Sequence, residues 1–178
     1  MALEVGFVEG TVEPRMDFDP FFHANVEKVA RAAALVTRDA GAGQDLAQEA
    51  FTRLLERWSE MTSDEHARNF VYKVAINLAR SHLRKNGRVL LYGLRRPGDA
   101  AGSSSTGSSE DWLEIVEALG ALSPRQRACV VLVDYVDMDS AGAARVLGVS
   151  ADTVRVHLMR GRRALREGLG LARRGDET

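Results

Sequence analysis

Cysteine is almost missing from this chain. The single thiol, Cys129, excludes an internal disulfide and a cysteine-cluster zinc site. Its neighbours Ala128, Val130 and Val131 place it as a small buried hydrophobe rather than a redox group. No apolar run approaches the length of a bilayer span, and the opening stretch MALEVGFVEGTVEPRM lacks the basic start and long apolar centre of a secretory signal. A cytoplasmic protein without membrane insertion is expected. Catalytic signatures are absent too: there is no Gly-rich phosphate loop and no nucleophile elbow. The four histidines, His23, His66, His82 and His157, are scattered without metal-ligand spacing. The expectation is no enzyme, no metal and no cofactor. Net charge is also lacking, at −1, so any nucleic-acid contact must come from charges sorted locally along the chain.

That sorting is present. From His66 to Gly98 there is no Asp or Glu, while Arg68, Lys73, Arg80, Arg84, Lys85, Arg88, Arg95 and Arg96 all fall there. A second basic run covers Arg155 to Arg174, interrupted only by Glu167. With 178 residues, 45% of them hydrophobic, the chain can build one or two small cored domains.

Periodicity predicts helices throughout. Residues 1–16 form a leader to which no function is assigned. From Asp17, residues Phe18, Phe21, Phe22, Val26, Val29, Ala33 and Val36 supply one apolar face, Asp19-Pro20 marks the entry, and Gly41 and Gly43 are expected to end the segment. DLAQEAFTRLLERW, Asp45 to Trp58, buries Leu46, Ala50, Leu54 and Trp58 and shows Asp45, Gln48, Glu49, Thr52, Arg53 and Glu56 outward. That acidic face is either merely solvated or a protein-docking surface. After a polar loop over Ser59 to Glu65, the stretch HARNFVYKVAINLARSHLRKNG carries an apolar stripe through Val74 and Leu78. A second stripe holds Asn69, Lys73, Asn77, Arg80 and Arg84, with Tyr72 beside it. Cations on such a face can hold phosphates, and an amide and an aromatic can read or stack bases.

The Gly/Ser-rich run before Glu110 has no core-forming residues and reads as a flexible linker. Beyond it, a helix through about Gly120 has Trp112, Ile115, Val116 and Leu119 as its apolar side, and Ser123-Pro124 starts another through Tyr135. Asp139 to Leu147 predicts a short helix, Gly148 its left-handed end, and Ser150 the cap of a final helix. In that helix Val154, Leu158, Gly161 and Leu165 face inward. Arg155, Val156, Met159, Arg160 and Arg163 then lie largely outward, as in a helix-turn-helix whose second helix enters a DNA major groove.

An acidic helix, a basic Asn-containing helix and a basic helix-turn-helix, in that order over roughly residues 17–170, resemble a bacterial sigma factor of the extracytoplasmic-function (ECF) group of the sigma-70 family. The resemblance implies an all-α fold of two small helical domains on a flexible linker: sigma domain 2 over 17–90, linker 91–109, sigma domain 4 over 110–172 and a tail over 173–178. It implies an alternative sigma factor that binds RNA polymerase core and directs initiation at promoter −10 and −35 elements. Asp45, Leu46, Gln48, Glu49 and Phe51 match the family's core-docking helix. Those residues except Phe51, with Arg53, are the candidates for binding the clamp helices of the largest subunit, and the second domain is expected at the flap of the second largest. Tyr72, Lys73, Asn77, Arg80 and Arg84 are the candidates for binding and opening −10 DNA, with the loop 59–65 set to hold a flipped base. Arg155, Val156, His157, Met159, Arg160 and Arg163 are the candidates at the −35 element. An anti-sigma factor is a further partner implied by the family. Phe70 stands where the family usually has Trp, Gly142 where it usually has Glu, and Val156 where Ser is frequent. Two rivals remain at the level of sequence: a stand-alone helix-turn-helix regulator binding an operator as a dimer, and a helical adaptor whose basic faces are only solvated.

Overall fold

Seven helices make up the computed structural model, which describes residues 16–91 and 110–169; no strand occurs among them. The leader up to residue 15, most of the expected linker and the tail lie outside the described residues. Helix α1 spans Phe18–Thr37, and Asp17 caps it by accepting from the Asp19 amide. It does not run on to the glycines. Arg38 takes the left-handed conformation at φ 62°, Asp39 caps the next helix by accepting from Ala42 N–H at 2.9 Å, and α2 begins at Ala40 and continues to Glu56. Gly41 and Gly43 are therefore inside α2, contrary to the expectation that they terminate α1. Close packing explains the second of them: a Cβ on Gly43 would stand 2.7 Å from Ala30 O and 2.6 Å from Ala34 Cβ of α1, so the crossing is too tight for any side chain.

α3 spans Asp64–Leu91 and packs on both α1 and α2, which completes a first unit. Its interior is formed by Phe21, Val29, Val36, Phe51, Leu54, Val71 and Ile76, all buried. One end is closed by Phe18, Phe21, Phe22, Phe51 and Trp58. Their ring centroids are 5.0 to 6.4 Å apart in the stacked, tilted and edge-on arrangements that aromatic quadrupoles favour. The Trp58 indole satisfies its N–H by donating to Met16 O at 2.9 Å.

The second unit holds α4 (Glu110–Gly120), α5 (Pro124–Val130), α6 (Ser140–Leu147) and α7 (Ala151–Gly168). Ser123 and Gln126 form a reciprocal capping box at the start of α5. The expected single helix to Tyr135 instead widens after Val130 into a π-helical turn, Val131–Tyr135, closed by Val136 N–H donating to Val131 O at 3.0 Å. Gly148, at φ 67°, ends α6 as its position after Leu147 predicts, and the Ser150 hydroxyl accepts from Thr153 N–H to start α7.

The two units share an interior. α6 packs on α3, and α5 with its π turn packs on α1. Arg127, 5% exposed, crosses the boundary: Nη1 donates to Val36 O at 2.9 Å, Nε to Leu119 O at 2.9 Å and Nη2 to Leu122 O at 3.1 Å. One planar fork thus satisfies carbonyls near the ends of α1 and α4, which have no acceptor role left inside their helices.

Candidate nucleic-acid interface

Two basic surfaces remain open to solvent, one on each unit. The first is a groove of about 720 Å³ between α2 and α3. Lys73, Asn77, Ser81 and Arg84 line its α3 side at helical steps of four and three, and Arg53, Glu56 and Arg57 line the α2 side. Phe70 forms part of the floor, with the Arg57 guanidinium 5.5 Å from its ring centroid. Arg57 is held there by Glu60, whose carboxylate accepts at 2.7 Å; this hydrogen bond holds the Glu60 carboxyl below its ordinary range. An open trough with cations on both walls and an aromatic in its floor can hold a single strand by its phosphates and stack an unpaired base.

Three of the five residues expected on the −10 face, Lys73, Asn77 and Arg84, are in this groove. Two are elsewhere. Tyr72 is 1% exposed in this packed arrangement, in the interior with Val71, Ala75 and Ile76. α3 is packed from two sides, by α1 and α2 and by α6, so a wider sector of it is buried than a one-sided helix would hide. Burial also pushes the Tyr72 hydroxyl well above its ordinary pKa. The spacing of Tyr72, Ile76 and Ala79 already traces an apolar stripe, which is the signal that places Tyr72 inward. Arg80, half-buried, swings its long side chain toward the second unit, where Nη1 donates to Leu147 O at 3.4 Å. Arg57 and Ser81 were not among the expected site residues. Arg57 lies just past α2, beyond the reach of a face-by-face reading.

The expected loop over 59–65 is partly helical: Trp58–Glu60 forms a 3₁₀ turn, and Asp64 and Glu65 begin α3. Ser63 Oγ accepts from His66 N–H at 3.1 Å at that start.

The second surface is the outer side of α7. Val154, Leu158 and Gly161 face inward, and Gly161 permits close packing because a Cβ there would meet Val130 Cγ2 at 2.8 Å. Arg155, Val156, Met159, Arg160 and Arg163 are exposed, Met159 to 65%. Arg155 pairs with Asp152 and Arg163 with Glu167, exposed pairs that hold their arginines only weakly. His157 departs from the expected set. It turns toward α5 and α3, its Nδ1 is buried without a hydrogen-bond partner, and it lines a cleft with Arg80 rather than the outer face.

On α2 the outward side carries Asp45, Gln48, Glu49 and Arg53, all exposed, with Leu46 half-buried at its edge; Glu49 and Arg53 pair at 2.5 Å. Leu55, 53% exposed, adds an apolar spot on α2. Among the described residues no cluster of His, Cys, Asp and Glu could hold a metal ion, and no helix is long and apolar enough to cross a membrane.

Comparison with known proteins matches residues 21–89 to the family model for sigma-70 region 2 and residues 112–165 to that for sigma-70 region 4. The chain is 29% identical over 154 residues to the RNA polymerase sigma-E factor of Streptomyces avermitilis, covering 86% of each chain. It is 26% identical over 167 residues to the ECF RNA polymerase sigma factor SigE of Mycolicibacterium smegmatis, covering 90% of this chain and 64% of the relative. In fold it is similar to the sigma factor RpoE of Bartonella quintana, solved in complex with the anti-sigma factor NepR, with a TM-score of 0.74 at 21% identity over 88% of this chain and 99% of that one.

Proposed function

This chain belongs to the sigma-70 family, in its ECF group, and from that premise we propose how its surfaces divide the work of promoter-specific transcription initiation. It is an alternative sigma factor: a binding factor that directs RNA polymerase core to promoters. The observation that carries the assignment is that regions 2 and 4 match in order on one chain, each over a unit with its own exposed basic surface.

The groove between α2 and α3 takes the −10 element as an unpaired strand, with Lys73 and Arg84 on phosphates, Asn77 on a base edge and Phe70 beneath a base. The loop around Met61 to Ser63 borders the site of base capture. The outer face of α7 takes the −35 element as duplex, with Arg155, Val156, Met159, Arg160 and Arg163 toward the major groove. Each good base contact supplies about 1–3 kcal/mol of discrimination, so neither surface is highly selective alone. Phosphate contacts make both steps salt-sensitive. Asp45, Leu46, Gln48, Glu49 and Arg53 anchor the chain to the clamp helices of the largest subunit, the second unit sits at the flap of the second, and an anti-sigma factor opposes both. The working compartment is the cytoplasm. These assignments follow the family boundaries expected from sequence, domain 2 over 17–90 and domain 4 over 110–172.

The packed arrangement cannot serve both elements at once. They are centred about 25 base pairs apart, roughly 85 Å of B-form duplex, whereas a compact chain of this length has a radius of gyration of only about 16 Å. Engaging the promoter therefore requires α5 and α6 to leave α1 and α3.

Run-off transcription with bacterial core polymerase tests the assignment: initiation at defined sites above core alone is expected, and none at any promoter tested would overturn it. Charge reversal at Asp45 and Glu49 is expected to weaken core binding tenfold or more, about 1.4 kcal/mol, with the helical circular-dichroism spectrum unchanged.

A further inference from the structure

Between the two units lies a second cavity, of about 220 Å³, that none of these roles uses. Its walls come from four directions: Arg80 from α3, Arg125 and Cys129 from α5, Leu147 to Val149 from the end of α6 and the turn after it, and Thr153 and His157 from α7. No carboxylate lines it. Arg80 gives one long hydrogen bond, to Leu147 O at 3.4 Å, and a guanidinium has five N–H donors. Arg125 is exposed and makes no ion pair with a described residue. His157 contributes its ring to the wall, while its Nδ1 is shut off from any water-sized space and does not open on the cavity. Thr153 lies in the first turn of α7, where the helix dipole adds positive potential. Burial pushes the Cys129 thiol up to about 11, so the sulfur stays neutral and does not supply a negative charge of its own.

Two guanidinium groups, one from each unit, and the positive end of a helix around an acid-free cavity describe a receptor for an anion. The volume is below the roughly 300–1,000 Å³ of sites for drug-sized ligands, which favours one compact, multiply charged group. We propose that this cavity binds a phosphate group, as free phosphate or as the head of a small phosphate monoester, gripped by Arg80 of the first unit and by Arg125 of the second. Because the ligating groups come from both units, the anion binds the packed form and shifts the population toward it. It also occupies Arg80, which stands beside the −10 groove on α3. A phosphate-bearing ligand thus holds the factor in the arrangement that cannot span a promoter.

The test uses the full chain and neither polymerase nor DNA, so it can fail while the initiation assignment stands. Inorganic phosphate and glycerol phosphate are titrated separately at constant ionic strength against chloride, following the thermal midpoint and the alkylation rate of Cys129. A saturable rise in midpoint with either ligand, together with slower alkylation, is expected; the two arms tell free phosphate from an ester. Arg125→Gln, at an exposed position that leaves the fold intact, is expected to weaken the response at least tenfold, and Arg125→Lys to restore part of it. Arg145→Gln, on the exposed side of α6, removes the same charge outside the cavity and is expected to respond like the parent. A rise that does not saturate, that chloride reproduces, or that persists in Arg125→Gln would overturn the proposal. So would binding that leaves Cys129 alkylation unchanged.

Discussion

Arg127 has no carboxylate beside it. Two of its three backbone acceptors are at helix ends and the third is in the α4–α5 turn, and burial, followed by repulsion from Arg38, brings its pKa down to about 10. The cation is kept because its fork fits three carbonyls at once, of which, among the described residues, only Leu119 O has another donor, the Leu122 N–H at 3.2 Å. Arg127→Ala leaves Val36 O and Leu122 O without this donor and is expected to cost about 2–4 kcal/mol in urea unfolding. Arg127→Lys keeps the charge without the fork and is expected to recover only part of that. Cys129 shows the opposite sign of titration. Burial raises its thiol from 9.0 to about 11, so the folded state favours the neutral form. Its contribution is complete below pH 9 and is lost as pH rises from there through 11, on the order of 2–3 kcal/mol at about 1.4 kcal/mol per pKa unit. Cys129→Ala is expected to flatten that part of the stability-versus-pH curve; an unchanged slope would assign the alkaline loss to other groups.

Among the elements, α2 and α3 hold the groove and the exposed acidic side to which the proposed roles are assigned. α2 is held against α1 by the bare backbone at Gly43, which lets its opposite side stay exposed while the helix remains fixed. Gly43→Ala pushes Cβ into Ala30 O and Ala34, and is expected to destabilise by about 1–3 kcal/mol despite the better helix propensity of alanine. A measured gain in stability would mean that α1 and α2 slide apart freely. On α3, the groove residues act locally. Phe70→Ala is expected to lower affinity for single-stranded −10 DNA by about 1–3 kcal/mol, the worth of one stacked base, and to leave duplex −35 binding unchanged. Lys73→Ala should instead reduce the salt dependence of single-strand binding by roughly one phosphate contact. Tyr72→Phe keeps the buried ring and is expected to leave DNA affinity untouched. A selective loss of strand binding in that variant would restore Tyr72 to the site.

At the scale of the whole molecule, the two units share one interior and are expected to unfold together. Val29, Leu35 and Val36 of α1 and Val131 and Leu132 of the π turn belong to one continuous apolar cluster. Lys28 and Asp137 add an ion pair across the boundary at 3.7 Å, exposed and weak. Calorimetry of the full chain is expected to show a single unfolding transition. Arg127→Ala is expected to divide it in two, because the fork is the strongest polar link between α1 and the second unit. Two transitions in the parent protein would mean that the units pack too loosely to unfold together.

Local chemistry made much of this chain legible. The Ser123 and Ser150 caps, the left-handed Gly148 and the apolar stripe of α7 are each set by neighbours within a turn or two, and the structure has them where the spacing predicts. The basic outer side of α7 and the acidic outer side of α2 follow from the same periodicity. Positions that depend on a second packing partner were not legible. Arg80 crossed to Leu147 and His157 closed a cleft because α6 and α5 lie against α3 and α1, a contact between residues distant in the sequence, whereas the inward turn of Tyr72 was carried by its own stripe with Ile76 and Ala79. Periodicity reports that a helix has a dry side; how wide that side is depends on how many neighbours the fold brings to it.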